Sequence, residues 1–264
     1  MATPILVTGG TGTLGRLVVP RLRDAGRDVR VLSRHNREAG EGVEVVTGDL
    51  ATGEGVEAAV AGAATIVHCA GSSRGDEVKA EHLVRAATRA GARHLVFISV
   101  VGADRVPQDG RLDRAMFGYF GSKLAAERTI AGCGLPWTTL RASQFHDLVY
   151  LTVSQLARLP VAAVPAGIRF QPVDTGEVAE RLVELALAPP SGLVPDLAGP
   201  RAYLLADLLR GYLRASHRRR LVLPVHVPGR AARALRAGAN LAPDRAVGRR
   251  TWEEFLAGKV RTPA

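Results

Sequence analysis

Through the first hundred residues, short apolar runs alternate with longer mixed stretches. The runs "PILVTG", "DVRVLSR", "VEVVTGD", "TIVHCAG" and "RHLVFISV" are six to eight residues long and rich in Val and Ile. They predict five strands. Between them, Leu14–Ala25, Gly55–Ala61 and Glu77–Ala90 carry helical spacing, the last stopped by "TRAGARH". Strands alternating with helices predict βαβ crossovers and a parallel sheet covered on both faces. Right-handed crossovers then give an α/β, doubly wound architecture.

After Ser99 the rhythm changes. The stretch "VGADRVPQDGRLDRAM" reads as a loop, followed by a helix from about Phe117 to Ile130, and "PWTTLRA" resumes the sheet. Beyond Gln144 the elements are shorter and broken by Pro160, Pro165, Pro172, Pro189, Pro190 and Pro195. "IRFQPVDTGEVAERLVELAL" reads as a strand–helix unit returning to the main sheet, with Asp174 and Glu177 spaced as a capping box at the helix start. The expected organisation is one domain over residues 1–264. Its core is mainly 1–143, with 166–198 returning to the sheet, and a small C-terminal substrate lobe comprises mainly 144–165 and 199–264.

The first strand-to-helix junction is unusual: "TGGTGTLG", Thr8 to Gly15, holds four glycines. Glycine inside an element costs about 0.5–1 kcal/mol relative to alanine, so the bare backbone has a use. The spacing Gly10-x-Gly12-x-x-Gly15 lies after a strand, before a helix, and inside a βαβ unit that continues to about Arg34. That is the context of a dinucleotide-binding turn, a Rossmann fold, with pyrophosphate seated at the helix start. Thr8, Gly9, Gly10, Thr11, Gly12, Thr13, Leu14 and Gly15 are therefore candidate cofactor ligands, the missing side chains leaving room for the dinucleotide. The second strand ends in Ser33 and Arg34 rather than in an acid, with Arg16 converging on the same region. A guanidinium there suits a 2′-phosphate, so NADP(H) is expected over NAD(H).

Composition narrows the class. The 264 residues carry a formal net charge of +10, with 32 arginines against three lysines. The chain shows no stretch of the ~20 apolar residues a bilayer span requires. Cys69 and Cys133 have no metal-ligand spacing and read as reduced thiols; no metal is expected. These features predict a cytoplasmic protein with a small-molecule substrate and no membrane partner, its oligomeric state, monomer or homodimer, left open. The cluster "SHRRRLVLPVHVPGR", Ser216 to Arg230, has few aromatics and no recognition-helix pattern, so it reads as a solvated basic face and not as a nucleic-acid site.

A second constellation sits in "YFGSKLAAE". Tyr119 and Lys123 are four residues apart, on one face of the predicted helix. With the glycine loop, "GDL" at Gly48–Leu50, "HCAG" at His68–Gly71, "FISVVGAD" around Ser99 and "TLRASQF", the chain resembles the short-chain dehydrogenase/reductase superfamily. The resemblance is to its extended or atypical branch, which includes NmrA-like NAD(P)-binding proteins, and it covers most of the chain. It implies a catalytic Ser99, Tyr119 and Lys123, with Lys123 also on the nicotinamide ribose. It further implies Asp49 and Leu50 near the adenine, and Cys69, Ala70 and Gly71 along the cofactor. Gln144, Phe145 and His146, after the strand in "TLR", fall where this fold binds substrate. The expected function is NADP(H)-dependent hydride transfer to or from a small hydrophobic carbonyl, quinone or enone. Two alternatives stay open: a non-catalytic NADP(H) redox sensor, and a sugar-nucleotide epimerase-like enzyme.

Overall fold

The computed structural model describes residues 3–35, 40, 42–72 and 75–260. The five expected strands form as β1 (Ile5–Thr8), β2 (Val29–Ser33), β3 (Val43–Thr47), β4 (Thr65–His68) and β5 (His94–Val100). They are joined by α1 (Gly15–Asp24), α2 (Val56–Val60) and α3 (Asp76–Arg89). Next come α4 (Arg111–Ala131) and β6 (Trp137–Ala142), then α5 (His146–Leu156), β7 (Val161–Pro165), β8 (Arg169–Phe170) and α6 (Thr175–Leu187). The chain ends with β9 (Gly192–Leu193), β10 (Tyr203–Leu204), α7 (Leu205–Ala215), β11 (Leu221–Val225), α8 (Arg230–Arg236) and α9 (Trp252–Val260).

One seven-stranded sheet has the order β3-β2-β1-β4-β5-β6-β9, in which β2 with β3, β1 with β2, β1 with β4, β4 with β5 and β6 with β9 run parallel. The fold is thus the expected doubly wound Rossmann α/β sheet. Strand order reverses between β1 and β4, and the register sets Thr8 beside His68 at their carboxyl ends. This switch point is where such sheets open a crevice for ligand. All seven residues of β5 are buried, and Leu6, Ile66, Leu95 and Phe97 pack with Leu83 and Ala87 of α3 in one apolar cluster.

Two elements differ from expectation. The helix before β6 starts at Arg111, six residues early, because the Asp/Arg-rich segment after Gly110 is helical rather than loop. The stretch "IRF" does not rejoin the main sheet: β8 pairs antiparallel with β10 in a separate two-stranded sheet. The strand that completes the main sheet is β9, beyond α6, parallel to β6.

The chain divides into two compact units: residues 1–99, 121–141 and 176–195, and residues 100–120, 142–175 and 196–264. Residues 100–120 and 166–175, assigned to the core by the sequence pattern, fall in the second unit. The core of the second unit is aromatic: Trp252, Phe255, Tyr203 and Tyr212 pack with the leucines of α7.

Candidate active site

The glycine loop is built mainly by its own packing. Gly9 has φ +68°, and a Cβ there would lie 2.6 Å from the backbone nitrogen of Ala70. A Cβ on Gly10 would press to 2.8 Å from a methyl of Val31, and one on Gly15 would collide with the Gly9 carbonyl. These three glycines let the loops after β1 and β4, the strand β2 and the helix α1 approach one another. Gly12 is different: a Cβ would meet only the Gly9 carbonyl oxygen, at 3.2 Å. The expectation that a dinucleotide fills the space of every missing side chain is corrected accordingly; Gly12 alone leaves its face open. Helix α1 begins at Leu14 with no side-chain cap and no acid in its first turn. The N–H groups of Arg16 and Leu17 are taken by the Gly12 and Leu14 carbonyls, so what this helix start offers an anion is chiefly the positive end of its dipole.

At the end of β2, Ser33 is buried; its hydroxyl donates to the His35 carbonyl at 2.9 Å and accepts the His35 N–H at 3.3 Å. Arg34 and Arg16 are exposed. Beyond β3, Asp49 is half-buried and accepts the Ala51 N–H at 2.8 Å. The Leu50 side chain belongs to the core, and its carbonyl hydrogen-bonds to His82 Nδ1 at 2.8 Å. The loop after β4 is pinned by the Cys69 N–H donating to the Thr8 carbonyl at 3.0 Å.

Lys123 is the centre of the first unit's polar network. It lies on α4, whose next turn is locked to the sheet by Glu127, paired with Arg141 at 2.7 and 2.9 Å. Its side chain is only 3% exposed; Nζ is 3.0 Å from Asp76 Oδ2 and donates to the Ile98 carbonyl at 3.2 Å. It also lies 4.9 Å from the centre of the Phe97 ring. A Cβ on Gly71 would come within 3.1 Å of this nitrogen, so the ammonium reaches directly beneath the loop after β4. The other oxygen of Asp76 accepts from the N–H of Ser72 at 2.8 Å and from Lys79 at 3.2 Å. Burial pushes the Asp76 carboxyl up, but the charge and hydrogen bond of Lys123, the charge of Lys79 and the Ser72 N–H together hold it below the usual carboxylate range.

His68 is fully buried beside this pair, 2.7 Å from Thr8 Oγ1 and stacked on Phe97. Burial, reinforced by the charge of Lys123, lowers it to about 3, so it stays neutral. Burial likewise pushes the Cys69 thiol up to about 12. Ser99, near the end of β5, is buried, and its hydroxyl makes no hydrogen bond to the described residues.

Neither Asp76 nor His68 was singled out by the sequence pattern. Asp76 was detectable: it precedes Ala80, Leu83 and Ala87 by four, seven and eleven residues, the inward stripe of α3. An acid on that stripe needs a buried partner.

In the second unit, Tyr119 stands one turn before Lys123 on α4, half-buried, its ring edge-on to Phe120 at 5.9 Å. Of the three substrate candidates, Gln144 accepts the Gln171 N–H at 3.3 Å, and Phe145 is half-buried just before α5. His146 is fully buried, stacked on Phe255 at 4.9 Å and Trp252 at 6.0 Å, and held neutral at about 4, chiefly by burial. It is a core residue, not one that faces a pocket.

Residues 9–154 match a family model described as NAD(P)H-binding. The chain belongs to that NAD(P)H-binding family. This agrees with the extended, NmrA-like resemblance of its motifs. Among curated relatives, it is 28% identical over 221 residues to the chloroplastic protein high chlorophyll fluorescence phenotype 244 of Arabidopsis thaliana, covering 78% of this chain and 54% of that one. The chain thus spans about half the length of that relative. It is 30% identical over 227 residues to a ceramide reductase of Caulobacter vibrioides, covering 78% of this chain and 68% of that one. Its fold matches an NADPH-dependent quinone oxidoreductase of Escherichia coli, solved with NADPH, at a TM-score of 0.80 and 18% identity over 97% of this chain and 99% of that one. Among the described residues no helix is long and apolar enough to cross a membrane.

The residues present fit the family's nucleotide. The open face of Gly12, the start of α1 without a side-chain cap, the Ser99 hydroxyl that bonds to none of the described residues and the ammonium beneath Gly71 all belong to the first unit, most of them at the carboxyl ends of its strands.

Proposed function

We propose that the protein is an NADP(H)-dependent oxidoreductase acting on a small hydrophobic carbonyl, quinone or enone. The observation that carries this reading is the buried Lys123 ammonium beneath Gly71, in the same unit as the buried Ser99 hydroxyl, which makes no hydrogen bond to the described residues. A bound nicotinamide supplies or accepts hydride. The chain's own groups do the rest. Tyr119 holds the proton exchanged with the substrate oxygen, and Ser99 donates a hydrogen bond to that oxygen. Lys123 holds the nicotinamide ribose, and its charge favours the phenolate of Tyr119.

Arg34 supports the choice of NADP(H), as an exposed guanidinium at the end of β2 where no acid repels a phosphate. The hydroxyl of Ser33 is engaged with His35, so Ser33 shapes this turn. The ceramide and quinone acted on by two relatives, as their names state, support an apolar substrate. A second reading, a nucleotide-binding sensor without turnover, draws on the Asp76–Lys123 pair, since the chain satisfies the ammonium by itself.

Titration with NADPH and NADH, then NADPH consumption across a panel of ketones, enones and quinones, separates the readings. The enzyme reading expects NADPH to bind at least about tenfold tighter, a ~1.4 kcal/mol difference, with the preference narrowed by Arg34→Glu. It also expects consumption with at least one apolar substrate. Tight binding with no consumption across the panel supports the sensor, and equal affinities overturn the NADP(H) preference.

A further inference from the structure

The second unit carries a surface with no part in the reaction proposed above. Strands β7 and β11 form a two-stranded parallel ribbon, Leu221 beside Val161 and Leu223 beside Ala163. A half-buried ribbon normally alternates apolar inside with polar outside. Here Ala162 and Val164 face inward to the aromatic core, yet the outward positions are also apolar. Leu221 is 63% exposed, Leu223 48% and Val161 43%, and Leu159, just before the ribbon, is 50% exposed. Single exposed leucines are ordinary, but an adjacent row of them marks an interaction surface.

Charge is segregated around the same ribbon. No acid occurs from Leu148 to Val173, or from Leu208 to Pro243; the second stretch holds eight arginines, Arg210, Arg214, Arg218, Arg219, Arg220, Arg230, Arg233 and Arg236. Because the strands are parallel, the chain enters both at the same end. Arg158 lies on one approach and Arg218 to Arg220 on the other, where Arg220 Nε donates to the Ala157 carbonyl at 3.1 Å. All four arginines are exposed.

We infer that this ribbon seats the protein on an anionic lipid bilayer, the leucine row entering the headgroup boundary and the arginines meeting lipid phosphates. The two components match the two terms of peripheral membrane binding, buried apolar area and attraction to acidic lipid. A nucleic acid would use the arginines but leave the leucines in water, and a second copy of this face would add only more positive charge. The sequence pattern alone marked the arginine cluster as a solvated face; the outward leucines beside it change that assignment.

The test is co-sedimentation of the full chain with vesicles of phosphatidylcholine alone or with about a third phosphatidylglycerol. Binding to the acidic vesicles is expected to be at least about tenfold stronger, and to weaken as salt rises from about 0.05 to 0.5 M. Arg218→Ala with Arg219→Ala should weaken it about tenfold or more. Leu221→Ser with Leu223→Ser should remove the binding that survives high salt. Both double variants should keep the NADPH affinity of the parent, showing that they fold. The inference is overturned if acidic vesicles are not bound, or if binding survives both double variants. It is equally overturned if the leucine pair abolishes a lipid-free dimer, or the arginine pair abolishes duplex DNA binding, while vesicles are ignored.

Discussion

The two units use their buried histidines in opposite ways. In the first, Thr8, His68, Asp76, Lys123 and Ser99 all lie at or beside the carboxyl ends of β1, β4 and β5; Asp76 and Lys123 form one bonded chain with Ser72 and Lys79, and Thr8 pairs with His68. In the second, His146 is equally buried but is packed as an aromatic plate against Phe255 and Trp252. Burial of a titratable side chain therefore does not identify a site. What distinguishes Lys123 is a charged partner, an open loop above it, and a strand-end position where the fold admits a ligand.

The sharpest test of this contrast lies in the glycine loop. Gly15→Ala, forced against the Gly9 carbonyl, is expected to cost more than about 3 kcal/mol and to lower the unfolding midpoint steeply. Gly12→Ala should stay within about 1 kcal/mol of the parent, yet bind NADPH at least tenfold more weakly. Equal stability losses would erase the distinction between packing glycines and a ligand-facing one.

Removing Asp76 should come next in size. Asp76→Ala leaves the Lys123 ammonium buried without its carboxylate, which typically costs about 3–5 kcal/mol. Urea unfolding measures it, and a change under about 1 kcal/mol would mean the pair is solvated. The same network makes stability depend on pH. His68 is lowered from 6.5 to about 3, so between these values protons bind the unfolded chain and not the native one. Its contribution is complete above pH 6.5 and is lost as pH falls through this window. From pH 6.5 to 4.5 the loss is about 2 kcal/mol for one histidine. His68→Asn, which keeps an acceptor for Thr8 but cannot titrate, should shrink the acid sensitivity by that amount.

The smallest effect is expected in the second unit. His146→Phe replaces a neutral stacked ring, neither of whose nitrogens has a hydrogen-bond partner, by a carbocycle. Stability should change by less than about 1 kcal/mol, or rise, with turnover unaltered. A large loss of turnover would return this histidine to the substrate site.

Much of the first unit was legible because its signals are local. The strand runs, the glycine loop and the Tyr119–Lys123 spacing each lie within a few residues, and β1 to β5 form where the pattern puts them. What was not legible depends on distant partners. The pattern of "IRF" identifies a strand but not its sheet, and a two-residue pairing with Tyr203 and Leu204 decided it. The segment from Arg111 to Met116 has the composition of a loop, yet it is helical. Gly9, Gly10 and Gly15 look alike in sequence, and only their neighbours, Ala70, Val31 and the Gly9 carbonyl, reveal that each is required by packing. Asp76 was half legible: its place on the inward stripe was visible, but its partner, 47 residues away, was not.

The central claim is that a phenol on α4 acts as the proton carrier of a reaction run by a nucleotide bound at the glycine loop. Steady-state NADPH consumption by Tyr119→Phe, beside its NADPH affinity, tests this most directly. The account predicts turnover reduced by about 10³-fold, roughly 4 kcal/mol of barrier, with nucleotide affinity within about twofold of the parent. Turnover retained within about threefold would contradict it, by showing that the proton comes from another group.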